Sequence, residues 1–550
     1  MGLNIDEASY GYDAYSLLQT GNDQWGIHLP TNLKSFGDYK PGALSYLIAT
    51  LIPLFDLNTF SVRLPSAIAG CLILPFLYLT LQELFPHPKR NFFLICVFAF
   101  SPWALGISRL FYESNVGLLF YVIAFWSSLH FFRSPSLKFA MWIGASFALS
   151  GYWYEGLRFT NFFTLGLLIF LLFKKQPKQL KRLLVMALVY VIVSLPLISS
   201  TLAGGLTRIG QENNSQSYGD ALYINENRSM CYLSSGKNIL FGKLCALWWN
   251  KPEERFTHIA RAFINQTGPV YLFLRSTQSD IVSPNYGSYL WILFPVYLVG
   301  LFVVIGQLSK THPKRFLFIF LILGYLLANL PGALVGEPMI HRNVSGLYLG
   351  FIFISAGMDL LYRLAAKHKH GRLLMGAYHL AIIFFITQFV VYYFFVYTKL
   401  NPEIWHSDSQ EIFSYLSQHK NEYDTYYFQG FENAPLYYAF YSKYDPTVYQ
   451  QYMQKALPNP GGWIHLKKLG NLESTPLTLF DFLCQRYFLG KPIKSLYIGA
   501  PDPRYSPYAI TSTYLFSKDY RLHDIYNVDQ VYETIKLHQN LQSECKDRPQ

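Results

Sequence analysis

Charge is scarce in this 550-residue chain. Asp, Glu, Lys and Arg together make up 14% of it, where a soluble globular protein carries about a quarter. So thin a supply of charge does not cover the surface of a water-soluble protein of this size. Cysteine is also sparse: six are present, none at zinc-ligand spacing. No Gly-rich phosphate loop, Ser-His-Asp set or HExxH pair occurs, so P-loop and hydrolase chemistry lack their usual residues. No internal sequence repeat is visible.

Apolar residues are what the chain has. They make up 51% of the sequence, and aromatic residues 18%. They gather in blocks of roughly 15 to 25, the length that crosses a hydrocarbon core. The expected fold is a polytopic α-helical membrane protein. About ten spans are expected, near 63–85, 91–108, 115–132, 139–157, 159–173, 183–203, 288–308, 316–335, 343–362 and 373–398. The segment Ala43–Phe55 is apolar but short and carries Pro53, so it reads as interfacial or re-entrant.

The net charge of +12 does not point to nucleic acid, because the Lys and Arg sit between apolar blocks. One set of connections holds Lys89 and Arg90, Arg133 and Lys138, and the run Lys174, Lys175, Lys178, Lys181 and Arg182. It continues with Lys310, Lys314 and Arg315, then Arg363, Lys367, Lys369 and Arg372. Under the positive-inside rule these are cytoplasmic. Residues 1–62, a large loop at 204–287 and the tail 399–550 then lie on the outer face of a plasma (inner) membrane. The tail is polar and Tyr-rich. It is expected to form an extracytoplasmic α/β domain, with strands at 425–429 and 494–498 and helices at 409–419 and 528–537. Cys231 and Cys245 share the outer loop. They either pair there, if the compartment is oxidising, or remain two thiols.

Against this background the polar residues of the outer face stand out. An acidic pair, Asp6-Glu7, is followed by Tyr12 and then by Asp38-Tyr39-Lys40-Pro41. Each short outer turn carries an arginine: Arg63 opening the first span, Arg109 in Ser108-Arg109-Leu110-Phe111-Tyr112-Glu113, Arg158 in Tyr154-Glu155-Gly156-Leu157-Arg158, and Arg342 in Glu337-Pro338-Met339-Ile340-His341-Arg342. Singly, an arginine here snorkels to headgroups or pairs with a neighbouring carboxylate. Several on the same face as Lys40 make a site for a phosphate or pyrophosphate. Beside such cations Asp6 and Glu7 become candidates for acid–base work. Transfer of a group from a lipid phosphate fits this set: cations neutralise the leaving phosphate, a carboxylate takes the acceptor's proton, and the apolar bundle holds the lipid tail.

These stretches, together with Arg63-Leu64-Pro65-Ser66, Ser101-Pro102-Trp103 and Asn329-Leu330-Pro331, resemble the protein mannosyltransferase and lipid A aminoarabinose transferase superfamily. Those are GT-C type glycosyltransferases close to glycosyltransferase family 39. The resemblance covers about residues 3 to 398. It implies inverting transfer of one sugar from an undecaprenyl- or dolichyl-phosphate carrier to a protein, lipid or glycan acceptor. It further implies Asp6 as the base and Lys40, Arg63 and Arg109 around the donor phosphate; the outer-face charges add Glu7 beside Asp6, and Arg158 and Arg342 beside the other cations. Tyr12, Tyr39, Glu113 and His341 are the expected acceptor or sugar pocket. No metal ligand set is expected and no cofactor is required, although a divalent cation is compatible with the chemistry. The chain departs from the family at Pro41-Gly42, where Pro-Pro is common, and at Tyr154-Glu155, where many bacterial relatives have Tyr-His. Relatives also carry a transmembrane helix before the acidic pair, and the expectation is that the natural gene product begins upstream of Met1 with that helix.

Two other readings compete. A transporter or flippase of lipid-linked glycans should show inverted repeats and polar groups near the bilayer midplane, whereas here the charges lie at span ends. A plain membrane anchor for residues 399–550 needs far fewer than ten spans.

Overall fold

A computed structural model describes residues 2–200, 207–236, 238–276, 283–309, 314–336, 338–397, 406–459, 462–514, 521–536 and 545. Lys310 of the expected basic set and Glu337 of the His341-Arg342 motif lie outside the described residues. The chain divides into two compact units. One holds Met1–Gly37, Leu44–Val62 and Phe394–Gln550; the other holds Asp38–Ala43 and Arg63–Tyr393.

The second unit is helical. Each of the ten expected apolar segments forms helix, but not each is long enough to cross a membrane. Among the described residues seven helices are, by length and composition: Thr59–Leu84, Glu113–Phe131, Glu155–Lys175, Pro177–Ile198, Arg315–Val335, Val344–Ala365 and Gly371–Tyr397. An eighth arises if Pro88–Ala99 and Pro102–Arg109 count as one span, bent by 58°. Ser101-Pro102 causes that bend, since proline disfavours helix in the residue before it and supplies no N–H of its own. The segments expected at 139–157 and 288–308 shrink to the shorter apolar helices Leu137–Ser150 and Trp291–Gly306. The first has 14 residues, about 21 Å of helix, against a hydrocarbon core of about 30 Å.

The basic ends of these helices are locked by ion pairs. Glu83, near the end of Thr59–Leu84, accepts from Arg133 at 2.6 Å and faces His130 at 3.0 Å. Lys314 donates to the Glu83 and Leu84 carbonyls at 3.0 and 2.9 Å. Arg90 is buried; it pairs with Asp359 and also donates to the Phe85 carbonyl and to Asn91. The expected 204–287 loop contains the helices Thr207–Ser234, Ile239–Trp248 and Lys251–Thr267. Cys231 and Cys245 are disulfide-bonded, which resolves the alternative left open by the sequence.

The first unit is built on a six-stranded sheet. We label its strands β1 (Thr425–Gln429), β2 (Lys468–Leu469), β3 (Leu472–Thr475), β4 (Ser495–Gly499), β5 (Thr511–Tyr514) and β6 (Arg521–Asn527). Their order is β2-β3-β1-β4-β6-β5. β1 is parallel to both neighbours, with Tyr426 opposite Leu472 on one side and Leu496 on the other. The remaining pairings are antiparallel. Helices run at Ser409–Gln418, Ala434–Ser442, Pro446–Lys455, Leu479–Leu489 and Val528–Ile535. Both expected strands and both expected helices are present within two residues, except that Leu537 lies outside the described residues. A second disulfide, Cys484–Cys545, had no local signal.

The N-terminal stretch, for which no helix was expected from the sequence, forms a helix at Ile5–Thr20 that packs on Ala434–Ser442 and Pro446–Lys455 of this α/β fold. Gly11 permits the approach: a Cβ there would meet the Phe440 ring at 2.5 Å. Tyr437 donates to the Leu3 carbonyl at 2.9 Å. Gln450 donates to Ser16, Thr20 and the Asp23 carbonyl at 3.0 to 3.1 Å.

Candidate active site

Three helix ends in the helical unit are tied by one buried polar knot. Ser66, one turn after Arg63, donates to the Ile107 carbonyl at 2.9 Å. The Asn115 amide donates to the Ser66 carbonyl at 2.9 Å, to its hydroxyl at 3.1 Å and to the Ser108 hydroxyl at 3.3 Å. Gly70 allows the contact, because a Cβ there would lie 2.2 Å from the Ser108 oxygen. Buried polar groups satisfied this way fix geometry well. The knot therefore orients the first turn bearing Arg63, the last turn bearing Arg109 and the first turn bearing Glu113. Sequence reasoning quoted Ser66 and Ser108 only as parts of motifs and missed Asn115.

A second junction joins three chain reversals. The His341 ring stacks on Tyr112, with centroids 5.5 Å apart and 10° between planes. Tyr154 meets the same ring edge-on at 6.0 Å. Tyr112 precedes the helix that begins at Glu113, and Tyr154 precedes the one that begins at Glu155. His341 lies in a 3-10 turn, Ile340–Arg342. Behind it Asn343 donates to the Asn329 side chain at 2.9 Å, and Asn329 donates to the Tyr325 carbonyl at 2.8 Å. The turns bearing Arg109, Arg158 and Arg342 thus meet at one aromatic cluster.

The arginines differ in their surroundings. Arg109 lies 5.3 Å from the Tyr393 ring centre, a cation–π distance. Arg158 donates to the Gly151 carbonyl at 3.0 Å and lies 3.7 Å from Glu155, so part of its charge is answered locally. Arg63 and Arg342 are half-buried. Lys40 is buried, in the short strand Tyr39–Pro41, and Tyr39 is half-buried.

The expected acidic residues and Tyr12 belong to the α/β unit. Asp6 is exposed in the first turn of helix Ile5–Thr20. Glu7 is buried and completes a capping box: Asn4 accepts from the Glu7 N–H and the Glu7 carboxylate accepts from the Asn4 N–H, both at 2.8 Å. That reciprocal pair satisfies two donors that a helix start leaves open. The pattern Asn4-Ile5-Asp6-Glu7 was a legible helix-start signal. Tyr12 is buried and donates to the Tyr444 carbonyl at 3.0 Å, with Tyr449 packed edge-on at 4.6 Å. Burial, with Tyr449 adding to it, pushes the Tyr12 hydroxyl well above its ordinary pKa, so it stays a donor. It works here as a packing residue. Asp13, which sequence reasoning passed over, is a further carboxylate of this helix. It is buried and accepts from the Gln24 backbone at 3.0 Å and side chain at 3.2 Å. It follows Asp6 by two helical turns, on the same face. Among the described residues no three His, Cys, Asp or Glu side chains gather as a metal-ion site.

Residues 39–203 match the family described as dolichyl-phosphate-mannose-protein mannosyltransferase. That stretch contains Lys40, Arg63, Arg109, Glu113 and Arg158. No curated protein sequence matches the chain. Two solved structures are similar to the chain, each at 12% identity. One is ArnT from Cupriavidus metallidurans bound to undecaprenyl phosphate, with TM-score 0.42, covering 95% of this chain and 94% of that one. The other is the archaeal oligosaccharyltransferase AglB from Archaeoglobus fulgidus, in complex with an inhibitory peptide and a dolichol-phosphate, with TM-score 0.44, covering 90% of this chain and 65% of that one.

Proposed function

We propose that this chain is a membrane glycosyltransferase that moves one sugar, with inversion, from a polyprenyl-phosphate carrier to an extracytoplasmic acceptor. The observation that carries the reading is the junction of three arginine-bearing turns at His341, two of them inside the stretch that matches the mannosyltransferase family. In the reaction the bond from the anomeric carbon to the carrier phosphate breaks and a new glycosidic bond forms. The acceptor hydroxyl gives its proton to Asp6. The polyprenyl phosphate leaves with its charge met by Lys40, Arg63, Arg109 and Arg342. Arg158 contributes less, because Glu155 stands beside it. Guanidinium groups suit this task because their paired donors match phosphate oxygens. The acceptor is a protein, a lipid or a glycan.

The outer-face orientation draws support from two facts. Disulfides form at Cys231–Cys245 and Cys484–Cys545, and disulfides persist in oxidising compartments. In the bent pair Pro88–Ala99 and Pro102–Arg109, Arg90 lies near one end and Arg109 at the other, and in Glu155–Lys175 Arg158 lies near one end and Lys174 and Lys175 at the other.

The test is transfer from a radiolabelled polyprenyl-phosphate sugar by purified protein. Asp6→Asn removes the proton acceptor while keeping its shape, and should lower the rate by roughly 10²- to 10⁴-fold with no change in thermal unfolding. Glu7→Gln keeps an oxygen for the Asn4 N–H and should cost much less. Near-normal transfer by Asp6→Asn would remove Asp6 from the mechanism.

A further inference from the structure

The α/β fold carries a cleft that the transfer chemistry does not use. It opens off the carboxyl ends of the parallel neighbours β1 and β3, where Gly430 follows one strand and Thr475 ends the other, and its volume is about 970 Å³. In open α/β sheets, ligands bind in the crevice outside the carboxyl ends of the strands. This volume is at the upper end of small-molecule sites.

Its walls are aromatic and cationic. Trp463 is 54% exposed on one wall, and Tyr452 faces the cleft from another. The turn that presents Trp463 is braced from several sides. Asn459 donates its N–H to the Trp463 carbonyl at 2.7 Å, and the Trp463 N–H donates to the Asn459 side chain at 3.0 Å. Ile464 donates to the Phe36 carbonyl at 2.6 Å, and the His465 ring stacks on Phe36 at 5.2 Å. An indole held in water by backbone bonds on both sides is a preformed platform, since its position needs little ordering when a ligand arrives. Of the charged side chains in the lining, Lys468 is answered by Glu473 at 3.5 Å. Lys455 and Lys467 remain against one carboxylate, Glu432, and neither lysine forms an ion pair among the described residues. The cleft is therefore cationic.

We propose that this cleft binds an acidic oligosaccharide, with sugar rings stacked on Trp463 and Tyr452 and sugar carboxylates reaching Lys455 and Lys467. A peptide fits less well. Peptides commonly dock by adding a strand to a sheet edge, and the edge strand beside this cleft, β2, has only two residues.

The test uses the full chain in detergent with no sugar donor present, so its outcome is independent of transfer. A hexagalacturonate carrying a fluorescent label is titrated against the protein, with labelled maltohexaose and hexaglutamate in parallel. Saturable binding of one hexagalacturonate per chain is expected, at least tenfold tighter than maltohexaose. Trp463→Ala should weaken it at least tenfold, while Trp248→Ala, at another exposed tryptophan, should not. The double change Lys455→Ala and Lys467→Ala should erase the preference over maltohexaose. Absence of saturable binding, or binding indifferent to Trp463→Ala, would overturn the proposal. Binding of hexaglutamate as tight as that of hexagalacturonate would overturn it in favour of an acidic-peptide groove.

Discussion

His341 offers the sharpest test of the junction at the arginine-bearing turns. Its ring stacks on Tyr112 and meets Tyr154 edge-on. Such contacts contribute about 0.5–1.5 kcal/mol each, so His341→Ala removes about 1–3 kcal/mol of interaction between the three turns. If that energy holds Arg342 and Glu113 in position for the transition state, the loss appears in kcat/KM at about 1.4 kcal/mol per tenfold, which is roughly 5- to 150-fold. His341→Phe keeps a planar ring of similar size and should restore most of the activity. The assay is initial-rate transfer from a polyprenyl-phosphate sugar, with donor and acceptor varied in turn. Two results would refute the reasoning. If His341→Phe is as damaged as His341→Ala, an imidazole nitrogen is needed and the ring contacts are incidental. If His341→Ala transfers normally, the meeting of the turns has no part in catalysis.

Asn115→Ala should destabilise the helical unit by roughly 1–2 kcal/mol, since the two N–H donors of its amide, shared among three acceptors, are lost at about 1 kcal/mol each; a thermal-inactivation midpoint equal to wild type would count against the knot. Acid should weaken the α/β unit through His406. Burial pushes its imidazole down from 6.5 to about 4, against the pull of Asp408. The unfolded chain then binds the extra proton first, so the stabilisation is full above pH 6.5 and falls by roughly 3 kcal/mol as pH drops to about 4. Burial works to raise Asp408, but hydrogen bonds from His523 and Thr513 outweigh it and hold the carboxyl below its usual range. Its stabilisation is present above the ordinary carboxylate pKa and is lost as pH falls further, through its own. Unfolding curves across this range should flatten in His406→Phe, and an unchanged acid slope would exclude His406 as the cause. For topology, cysteines introduced at the exposed positions Gln410 and Lys174 should react with membrane-impermeant maleimide from opposite sides; labelling of both from the cytoplasm would refute that topology.

The sequence was most legible where chemistry repeats locally. Apolar runs located the ten apolar helical segments of the second unit, and short aromatic and apolar stretches located β1 and β4, because burial selects such residues in neighbouring positions. Span length was less legible, because proline and turn residues inside an apolar run, as at Ser101-Pro102, do not change its hydropathy. Helix Ile5–Thr20 was hidden for a different reason: nearly all round it is buried, so its tyrosines, serines and glycine show no apolar stripe. Its capping box was visible and was the better signal. The arginines of these turns were found because a charge at the end of an apolar run is conspicuous. The partners that aim them were not. Asn115 meets Ser66 from 49 positions away, and Tyr112 meets His341 from farther still, so only the folded chain reveals those pairs. Cys484 and Cys545 are 61 residues apart, with no spacing to announce the bond.

The ion pair between Arg90 and Asp359 has a consequence for how the protein is made. The two residues are 269 positions apart. At synthesis rates of about 5–20 residues per second, Arg90 waits on the order of ten seconds to a minute for its carboxylate to leave the ribosome. During that interval a guanidinium destined for a buried position has only neighbours close in the chain. The Phe85 carbonyl and the Asn91 side chain are those neighbours, and both already bond to it in the finished fold. Helix Pro88–Ala99 can therefore enter the bilayer with its cation provisionally satisfied. The arrival of helix Val344–Ala365 then completes the pairing, so the seal on the early helices is set by one of the last to be translated.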